Sequence, residues 1–262
     1  MSLPAALQPL ADAPDRAGML VDYDGSLAPI VDHPEQARPL PAARRVLSSL
    51  ATRLALVAVV SGRPVDFLRD ALELDGVTCV GQYGLERLEG GRVVVDPRVE
   101  RFTDAVAAAA DAADREFPDL YVERKGRVAV TVHWRTAADH ADAVTAWADA
   151  TATRLGLAVS PTRMARELRP PVPVDKGVAV ESLCIGLRAA AFAGDDHGDL
   201  AAFDALDRMQ TDGRLQHTVR IGVHSPEEPP ELIARAQLHV DGPAGLALLL
   251  RELAEAISPG PV

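Results

Sequence analysis

Hydrophobic residues follow two alternating patterns in the first third of the chain. Unbroken apolar runs predict a buried strand at Met19–Val21 and a strand covered on both faces at Leu54–Val60, and Val77–Val80 is predicted as a short third strand. Between them, apolar residues recur at helical spacing in Pro41–Arg53, and a leading proline suits the first turn of a helix over Pro64–Leu72. This alternation predicts right-handed βαβ units, and therefore an α/β fold with a doubly wound, mostly parallel sheet.

The pattern changes in the middle third and then returns. Helical spacing at Ala105–Arg115 and Ala141–Leu155 alternates with extended segments at Arg92–Val95, Val128–Trp134, Leu157–Ser160 and Met164–Leu168, before a stiff connector, Arg169–Pro173. The first pattern resumes with a helix at Lys176–Leu187, strands at Ala189–Ala193, Thr218–Val223 and Gln237–Val240, and a helix at Pro243–Ile257. We therefore predict a core of residues 1–95 and 173–262, with a smaller α+β domain, residues 96–172, inserted into it.

Composition limits the classes of protein that need to be considered. The chain has 262 residues, of which 48% are hydrophobic and 25% charged, a balance typical of globular proteins. Its net charge of −11 argues against a nucleic-acid or membrane-surface binder, which needs a basic patch. We expect a cytoplasmic protein, because neither a signal peptide nor an apolar stretch of membrane-spanning length is apparent. A monomer is compatible with the sequence, which leaves the oligomeric state open.

The segment Asp22–Ser26 places two carboxylates two residues apart, directly after the first predicted strand. Side chains at i and i+2 of a strand share a face, so Asp22 is expected to point at the crevice where open α/β sheets bind ligands. Gly25 permits the turn that follows. One carboxylate can attack a phosphoryl group, and the other can exchange a proton with the leaving oxygen. An acidic β-turn is the competing interpretation, because Asp and Gly are common turn residues.

A divalent cation is expected beside these carboxylates, because an attacking carboxylate and a phosphate repel one another. Mg²⁺ prefers hard oxygen ligands and keeps several waters. Asp22, Asp195 and the backbone carbonyl of Asp24 are the predicted protein ligands of this Mg²⁺ cofactor. Asp196 and Asp199 are predicted to orient the bound waters.

Two more segments complete the requirements of phosphoryl transfer. The hydroxyl of Ser61 and the backbone N–H of Gly62 can hold one phosphoryl oxygen, and Lys176 can balance the charge on the attacking carboxylate and the transferring group. Taken singly, each segment has a simpler interpretation: a strand-to-helix turn around Ser61, a solvated residue at the helix start for Lys176, and an acidic turn at Gly194–Asp196. Their joint order at the ends of predicted elements is hard to obtain by accident.

The segments Asp22–Ser26, Ser61, Lys176 and Gly194–Asp199 resemble the four motifs of the haloacid-dehalogenase-type phosphatases. The resemblance implies that Asp22 is the nucleophile and that Asp24 is the general acid and base.

Within that superfamily the chain is similar to the trehalose-6-phosphate phosphatases. The similarity is carried by Asp22–Ile30, Gly81–Glu86, Glu123–Lys125, Val132–Arg135, Glu167–Pro170, Asp175–Gly177 and Gly194–Phe203. It implies an enzyme that hydrolyses trehalose 6-phosphate through an aspartyl-phosphate, with the inserted domain as a cap that selects the sugar. Gln82 and Tyr83 stand where that family usually has Asn and His, at a segment expected to contact the leaving group.

The predicted substrate-binding residues are polar or lie beside a turn. In the core they are Gly62, Arg63, Tyr83 and Gly84, and in the inserted domain they are Glu123, Lys125, His133, Arg135, Glu167 and Arg169. A disaccharide offers many hydroxyls, and charged groups bind hydroxyls more strongly than neutral groups do. A solvated sheet face with cross-strand ion pairs is the competing interpretation of the second set.

Two other functions are compatible with these residues. The same core could hydrolyse another phosphorylated compound, such as sucrose phosphate or a glycosyl phosphoglycerate, but the polar series in the inserted domain favours trehalose 6-phosphate. A catalytically silent module that binds a sugar phosphate is the second alternative, and the intact Asp22, Asp24, Lys176 and Asp195 argue against it. The expected partner is therefore a phosphorylated disaccharide, with neither nucleic acid nor membrane.

Overall fold

The structure is a computed structural model that describes residues 3–31, 34–89, 91–162, 164–225 and 228–257. The chain divides into two compact units. Unit 1 comprises Met1–Val93 with Val174–Val262, and unit 2 comprises Val94–Pro173. Among the described residues, no helix combines the length and the apolar character needed to cross a bilayer.

The elements follow one another in a mixed α/β order. The strands are β1 (Ala17–Val21), β2 (Leu56–Val60), β3 (Thr78–Gly81), β4 (Glu86–Glu89), β5 (Arg92–Val95), β6 (Tyr121–Lys125), β7 (Ala129–His133), β8 (Ala158–Thr162), β9 (Ala165–Arg169), β10 (Ala189–Gly194), β11 (His217–Val223) and β12 (Leu238–Val240). The helices are α1 (Gln8–Asp12), α2 (Pro41–Ala51), α3 (Val65–Leu72), α4 (Thr103–Glu116), α5 (Ala141–Leu155), α6 (Lys176–Leu183), α7 (Leu200–Thr211), α8 (Pro230–Arg235) and α9 (Gly242–Ala256).

The larger sheet has eight strands in the order β12-β11-β10-β1-β2-β3-β4-β5. The pairs from β12 to β3 are all parallel, and β4 joins β3 in antiparallel orientation. β1 lies between β10 and β2, with Val21 opposite Ala193 on one side and Val59 on the other. The prediction of a doubly wound, mostly parallel α/β sheet is therefore confirmed.

Two hydrophobic cores cover the two faces of this sheet. Alternate residues of β1 enter different cores: Met19 and Val21 pack with α2, α3 and α9, whereas Leu20 packs with α6, α7 and α8. Every residue of β1 is buried, which accounts for its unbroken apolar sequence. The carboxyl ends of β1 and β10 are thus held side by side by packing on both faces.

Unit 2 has its own antiparallel sheet of four strands, in the order β6-β7-β9-β8. One face carries apolar side chains, including Val130 and Leu168, which pack against α4 and α5. Because side chains alternate along a strand, the residues between them lie on the other face, which is polar.

Some predicted bounds differ from those in the structure. The helix predicted over Lys176–Leu187 ends at Leu183, and the chain then turns at Gly186, whose φ of +83° suits glycine. Arg169, predicted to begin the connector, is the last residue of β9. β6 was not predicted as a separate strand, because its sequence Tyr-Val-Glu-Arg-Lys has residues of low strand propensity at three of five positions.

Candidate active site

Carboxylates from two neighbouring strand ends meet at one edge of the larger sheet. Asp22 follows β1 and its backbone N–H donates to Ala193 of β10 over 2.8 Å, while Asp195 follows β10 directly. Asp199 lies one turn further along the chain. Carboxylate oxygens of Asp22, Asp195 and Asp199 lie within 4.8 Å of one another, and we refer to these three residues as the acidic cluster.

Lys176 brings a buried positive charge to this cluster. It is the first residue of α6, whose N-cap Asp175 accepts a hydrogen bond from the Val178 backbone over 2.9 Å. The Nζ atom lies 2.7 Å from Asp22 Oδ1 and 2.7 Å from Asp199 Oδ1, and the side chain is only 3% exposed. α6 approaches α7 closely at Gly177, where a Cβ would lie 2.4 Å from the Ala201 carbonyl oxygen. A side chain at that position would push the lysine away from the cluster.

Asp199 organises the loop that carries the other carboxylates. Its Oδ2 atom accepts the backbone N–H of Asp195 over 2.8 Å and that of Asp196 over 3.0 Å. Gly194 lies against it, since a Cβ there would fall 2.2 Å from Asp199 Cγ. Because its other oxygen bonds to Lys176, Asp199 is fully engaged by the protein. This geometry suits a supporting role better than direct ligation of a metal.

Burial perturbs the protonation equilibria of the cluster. Burial raises the pKa of Asp22 well above its usual value, although the charge of Lys176 opposes this shift. The pKa of Asp195 is raised to about 8, mainly by burial and then by the neighbouring carboxylates of Asp199 and Asp196. Burial also raises the pKa of Asp199 to about 6. Burial alone would lower the pKa of Lys176, but the carboxylates of Asp199 and Asp22 hold it well above its usual value. The lysine is therefore charged, and the three carboxyl groups of the cluster outnumber this one positive group.

The donor set fits a divalent cation. The cluster offers hard carboxyl oxygen atoms at short mutual distances, and such oxygens are the ligands that Mg²⁺ and Ca²⁺ prefer. Ser26 Oγ donates to Asp195 Oδ1 over 3.2 Å and fixes that carboxylate. At Gly25, with φ +77°, a Cβ would fall 2.0 Å from Asp195 Oδ2. The turn after β1 therefore closes directly onto Asp195, which requires glycine.

The side chain of Asp24 lies outside the acidic cluster and is bound by Arg63. Arg63 Nε and Nη2 each donate to a different oxygen of Asp24 over 2.7 Å. The backbone carbonyl of Asp24 was predicted to bind the metal, and this stays a prediction. Arg63 was predicted to bind substrate, whereas in the structure it contacts the predicted general acid.

The segment after β2 lies beside the turn that follows β3. Ser61 is 2% exposed, and its Oγ accepts the Arg63 backbone N–H over 3.1 Å. The Tyr83 hydroxyl lies over Gly62, where a Cβ would be 2.6 Å away. Tyr83 itself has φ +59°, a left-handed conformation that tyrosine rarely adopts, and Gly84 follows at φ +108°. The structure therefore brings Ser61, Gly62, Tyr83 and Gly84 into one region of unit 1.

The polar face of unit 2 carries most of the predicted sugar-binding residues. Strand pairing aligns Glu123, Thr131, Glu167 and Ser160 in one row across the four strands. Within and beside that row, the pairs are Lys125 with Glu167 at 2.6 Å, His133 with Glu123 at 3.0 Å, and Arg169 with Ser160 at 2.9 Å. Arg135 lies in the turn after β7 rather than in this row. The Oε1 atom of the fully buried Glu167 has no hydrogen-bond partner among the described residues.

Sequence reasoning missed three polar or aromatic residues at these places. Thr131 donates to Glu167 over 3.3 Å, and the Tyr121 ring stacks on His133 with centroids 5.2 Å apart. Both lie two residues from a predicted residue on the same strand, so strand alternation could have found them. Ser225 hydrogen-bonds the Asp195 side chain, and no pattern in the sequence indicated it.

Comparisons with known proteins identify the family of this chain. A family model described as trehalose-phosphatase matches residues 20–232. A trehalose-phosphate phosphatase of Mycobacterium avium is 31% identical over 275 residues, covering 98% of this chain and 68% of that protein. An uncharacterized glycosyl hydrolase of Mycobacterium tuberculosis is 34% identical over 206 residues, covering 73% of this chain but only 15% of its own length.

Solved structures show the same fold. The crystal structure of a trehalose-6-phosphate phosphatase related protein has a TM-score of 0.77 at 26% identity, and covers 91% of this chain and 97% of that chain. The C-terminal domain of a Candida albicans trehalose-6-phosphate phosphatase has a TM-score of 0.72 at 22% identity, and covers 97% of this chain and 98% of that chain.

Proposed function

This chain belongs to the trehalose-phosphatase family, and on that premise we propose that it hydrolyses trehalose 6-phosphate to trehalose and inorganic phosphate. The observation that carries the proposal is the contact of Lys176 Nζ with Asp22, 2.7 Å away, inside a buried cluster of carboxylates at the strand ends. A buried, paired carboxylate beside further acidic groups is suited to nucleophilic attack on phosphorus once a cation neutralises the site.

In the first half of the reaction, Asp22 attacks phosphorus and the bond from phosphorus to the sugar oxygen breaks. Asp24 gives its proton to that oxygen as it leaves, so the products are trehalose and an aspartyl-phosphate on Asp22. In the second half, Asp24 takes a proton from water, whose oxygen attacks phosphorus. The Asp22 carboxylate and inorganic phosphate are then released, and Asp24 is again protonated.

The remaining residues of unit 1 stabilise charge. Ser61 Oγ and the backbone N–H of Gly62 hold a phosphoryl oxygen, and Lys176 offsets the charge of Asp22 and of the transferring group. Asp22, Asp195 and the Asp24 backbone carbonyl would hold a Mg²⁺ ion, which would supply the positive charge that lets an anionic carboxylate approach an anionic phosphate. Asp196 and Asp199 would orient the waters that such an ion retains.

Unit 2 is proposed as the cap domain that selects the sugar. Its polar row offers donors and acceptors in a fixed array, as hydroxyl-rich ligands require. Glu167 Oε1 supports this role: it has no hydrogen-bond partner in the part of the chain that the structure describes, and a buried carboxylate oxygen of that kind is costly unless a ligand donates to it. The substrate-binding set is Glu123, Lys125, His133, Arg135, Glu167 and Arg169, together with Tyr83 and Gly84 of unit 1.

Phosphate release from a panel of sugar phosphates tests the proposal. Purified protein with Mg²⁺ should release phosphate from trehalose 6-phosphate faster than from sucrose 6-phosphate, glucosyl phosphoglycerate or glucose 6-phosphate, and EDTA should abolish release. Brisk release from another ester alone would reject the substrate, and no release from any ester would indicate a silent binding module. Full activity of Asp22→Asn would reject the mechanism.

A further inference from the structure

The ion pair between Arg63 and Asp24 occupies both oxygens of the proposed general acid. Arg63 Nε lies 2.7 Å from Asp24 Oδ2, and Nη2 lies 2.7 Å from Oδ1. Such a two-point pair fixes the plane and the position of a carboxylate, which a single lysine contact does not. The orientation of Asp24 in this structure is therefore set by Arg63.

Arg63 is itself held rigidly. Its backbone N–H donates to Ser61 Oγ over 3.1 Å, and its carbonyl accepts from the Gln82 backbone over 3.0 Å. The guanidinium lies 4.8 Å from the centroid of the Phe67 ring of α3, in cation–π geometry. Its side chain is 12% exposed, against 37% for Asp24. The arginine is thus the fixed partner and the aspartate the one with room to move.

Phe67, which lies beneath the Arg63 guanidinium, also packs against the residue that precedes Asp24. Phe67 packs edge to face on Tyr23, with centroids 5.6 Å apart, and Tyr23 immediately precedes Asp24. Tyr23 is fully buried and its hydroxyl donates to the Ala37 carbonyl over 3.1 Å. One connected set of contacts therefore fixes both the backbone before Asp24 and the cation that holds its side chain.

We propose that Arg63 is a positioning residue that holds Asp24 for proton transfer, rather than a residue that binds the sugar. The proposal deepens the proposed function and rests on it. While both oxygens accept from Arg63, Asp24 is an unprotonated carboxylate and cannot donate to a leaving group. One oxygen must therefore leave Arg63 and take up a proton from water, as in the second half of the proposed reaction, while the other contact keeps the carboxyl group in place. Asp22 then attacks phosphorus, and the bond from phosphorus to the leaving oxygen breaks as the proton passes from Asp24 to that oxygen.

Aryl phosphates without a sugar test this role, because their leaving groups differ in how much they need a proton. The value of kcat/KM includes only steps up to departure of the leaving group, so it isolates the first half of the reaction. For Arg63→Gln, we expect kcat/KM to fall at least about tenfold more with phenyl phosphate than with p-nitrophenyl phosphate, as a lost general acid requires. Asp24→Asn should change the same ratio in the same direction, and Arg63→Lys should lie between wild type and Arg63→Gln.

Arg38 provides the matched control. Its guanidinium also lies over the Phe67 ring, at 5.8 Å, but it donates to the carbonyls of Glu35 and Ala37. Arg38→Gln should leave the ratio of the two aryl phosphates unchanged. If Arg63→Gln still hydrolyses p-nitrophenyl phosphate, the variant is folded. If it does not, the ratio of kcat/KM values for the two aryl phosphates is measured with Arg63→Lys instead.

Three outcomes would overturn the inference. An equal loss with both aryl phosphates would mean that Arg63 binds the phosphoryl group. A loss confined to trehalose 6-phosphate, with both aryl phosphates unaffected, would mean that Arg63 binds the sugar. A wild-type protein that hydrolyses none of these esters would overturn the proposed function and this inference with it, whereas the first two outcomes leave the proposed function intact.

Discussion

Replacing Lys176 by methionine should destabilise the metal-free protein severely. The substitution keeps most of the side-chain volume and removes one positive charge that lies 2.7 Å from both Asp22 and Asp199. At an effective dielectric constant of about 20, each of these contacts has a gross Coulomb energy of about 6 kcal/mol. The desolvation cost of the buried lysine offsets much of this energy. Removing one partner of a buried ion pair therefore costs about 3–5 kcal/mol in unfolding free energy.

Urea unfolding followed by circular dichroism measures this loss. In EDTA, Lys176→Met should lose about 3–5 kcal/mol relative to wild type, out of a total that for ordinary domains is about 5–15 kcal/mol. Saturating Mg²⁺ should reduce the difference, because the bound cation then compensates the same carboxylates. The double variant Asp22→Asn with Lys176→Met should be more stable in EDTA than Lys176→Met alone, because one of the uncompensated charges is gone.

The reasoning would be refuted by a small and metal-independent effect. Exposed ion pairs contribute less than about 1 kcal/mol to the free energy of unfolding. If Lys176→Met lost no more than that in EDTA, the lysine would not be compensating buried charge. An equal loss with and without Mg²⁺ would mean that cation and lysine do not share the same carboxylates.

Three further predictions concern the acidic cluster, its turn and unit 2. In EDTA, the free energy of unfolding should fall as the pH rises from about 5 to 8. The folded state keeps protons on Asp199 and Asp195, whose pKa values are about 6 and about 8, whereas the unfolded chain releases these protons near the usual aspartate pKa of 3.8. A urea midpoint that stays constant across this pH range would contradict the prediction. Gly25→Ala should displace Asp195 and lower kcat in the phosphate-release assay at least about a hundredfold. Gly213→Ala is the control: its φ of +79° is similar, but a Cβ there would have no atom within 4 Å, so the variant should lose stability and keep its activity. Glu123→Gln should raise KM for trehalose 6-phosphate about tenfold and leave KM for p-nitrophenyl phosphate unchanged. Arg124→Gln, on the opposite face of β6, should change neither KM value. Equal effects of the two substitutions would contradict a role of the polar row in sugar binding.

The larger sheet was predictable because its signal is local. β1 and β2 are buried on both faces, so their sequences are apolar without interruption, and the intervening helix shows its own period. The candidate site was predictable for a related reason. Carboxyl ends of parallel strands meet at one edge, so acidic residues placed directly after β1 and β10 must approach one another once the strands are neighbours.

Side-chain pairing was less predictable, because it depends on contacts that no short pattern encodes. The pairing of Arg63 with Asp24 requires β1 and β2 to be adjacent and Phe67 to lie beneath the guanidinium. β6 was not predicted because three of its five residues are charged: Glu123 and Lys125 lie on the polar face of the sheet, and Arg124, on the other face, donates to Asp111 of α4. In both cases the sequence supplied the residue types, and tertiary packing decided which of them met.

Charge balance explains why one lysine would not be sufficient for the proposed nucleophile. In the proposed reaction Asp22 must be ionised to attack phosphorus, yet burial raises its pKa well above the usual value. Lys176 opposes that shift, but its Nζ lies equally close to Asp199, which holds the loop that carries Asp195. The lysine therefore has to compensate the carboxylate of Asp199 as well as that of the proposed nucleophile. In the proposed mechanism a second positive charge beside Asp22 and Asp195 is needed to keep the nucleophile anionic, and this requirement, rather than the number of acidic residues, is the reason to expect a cation here.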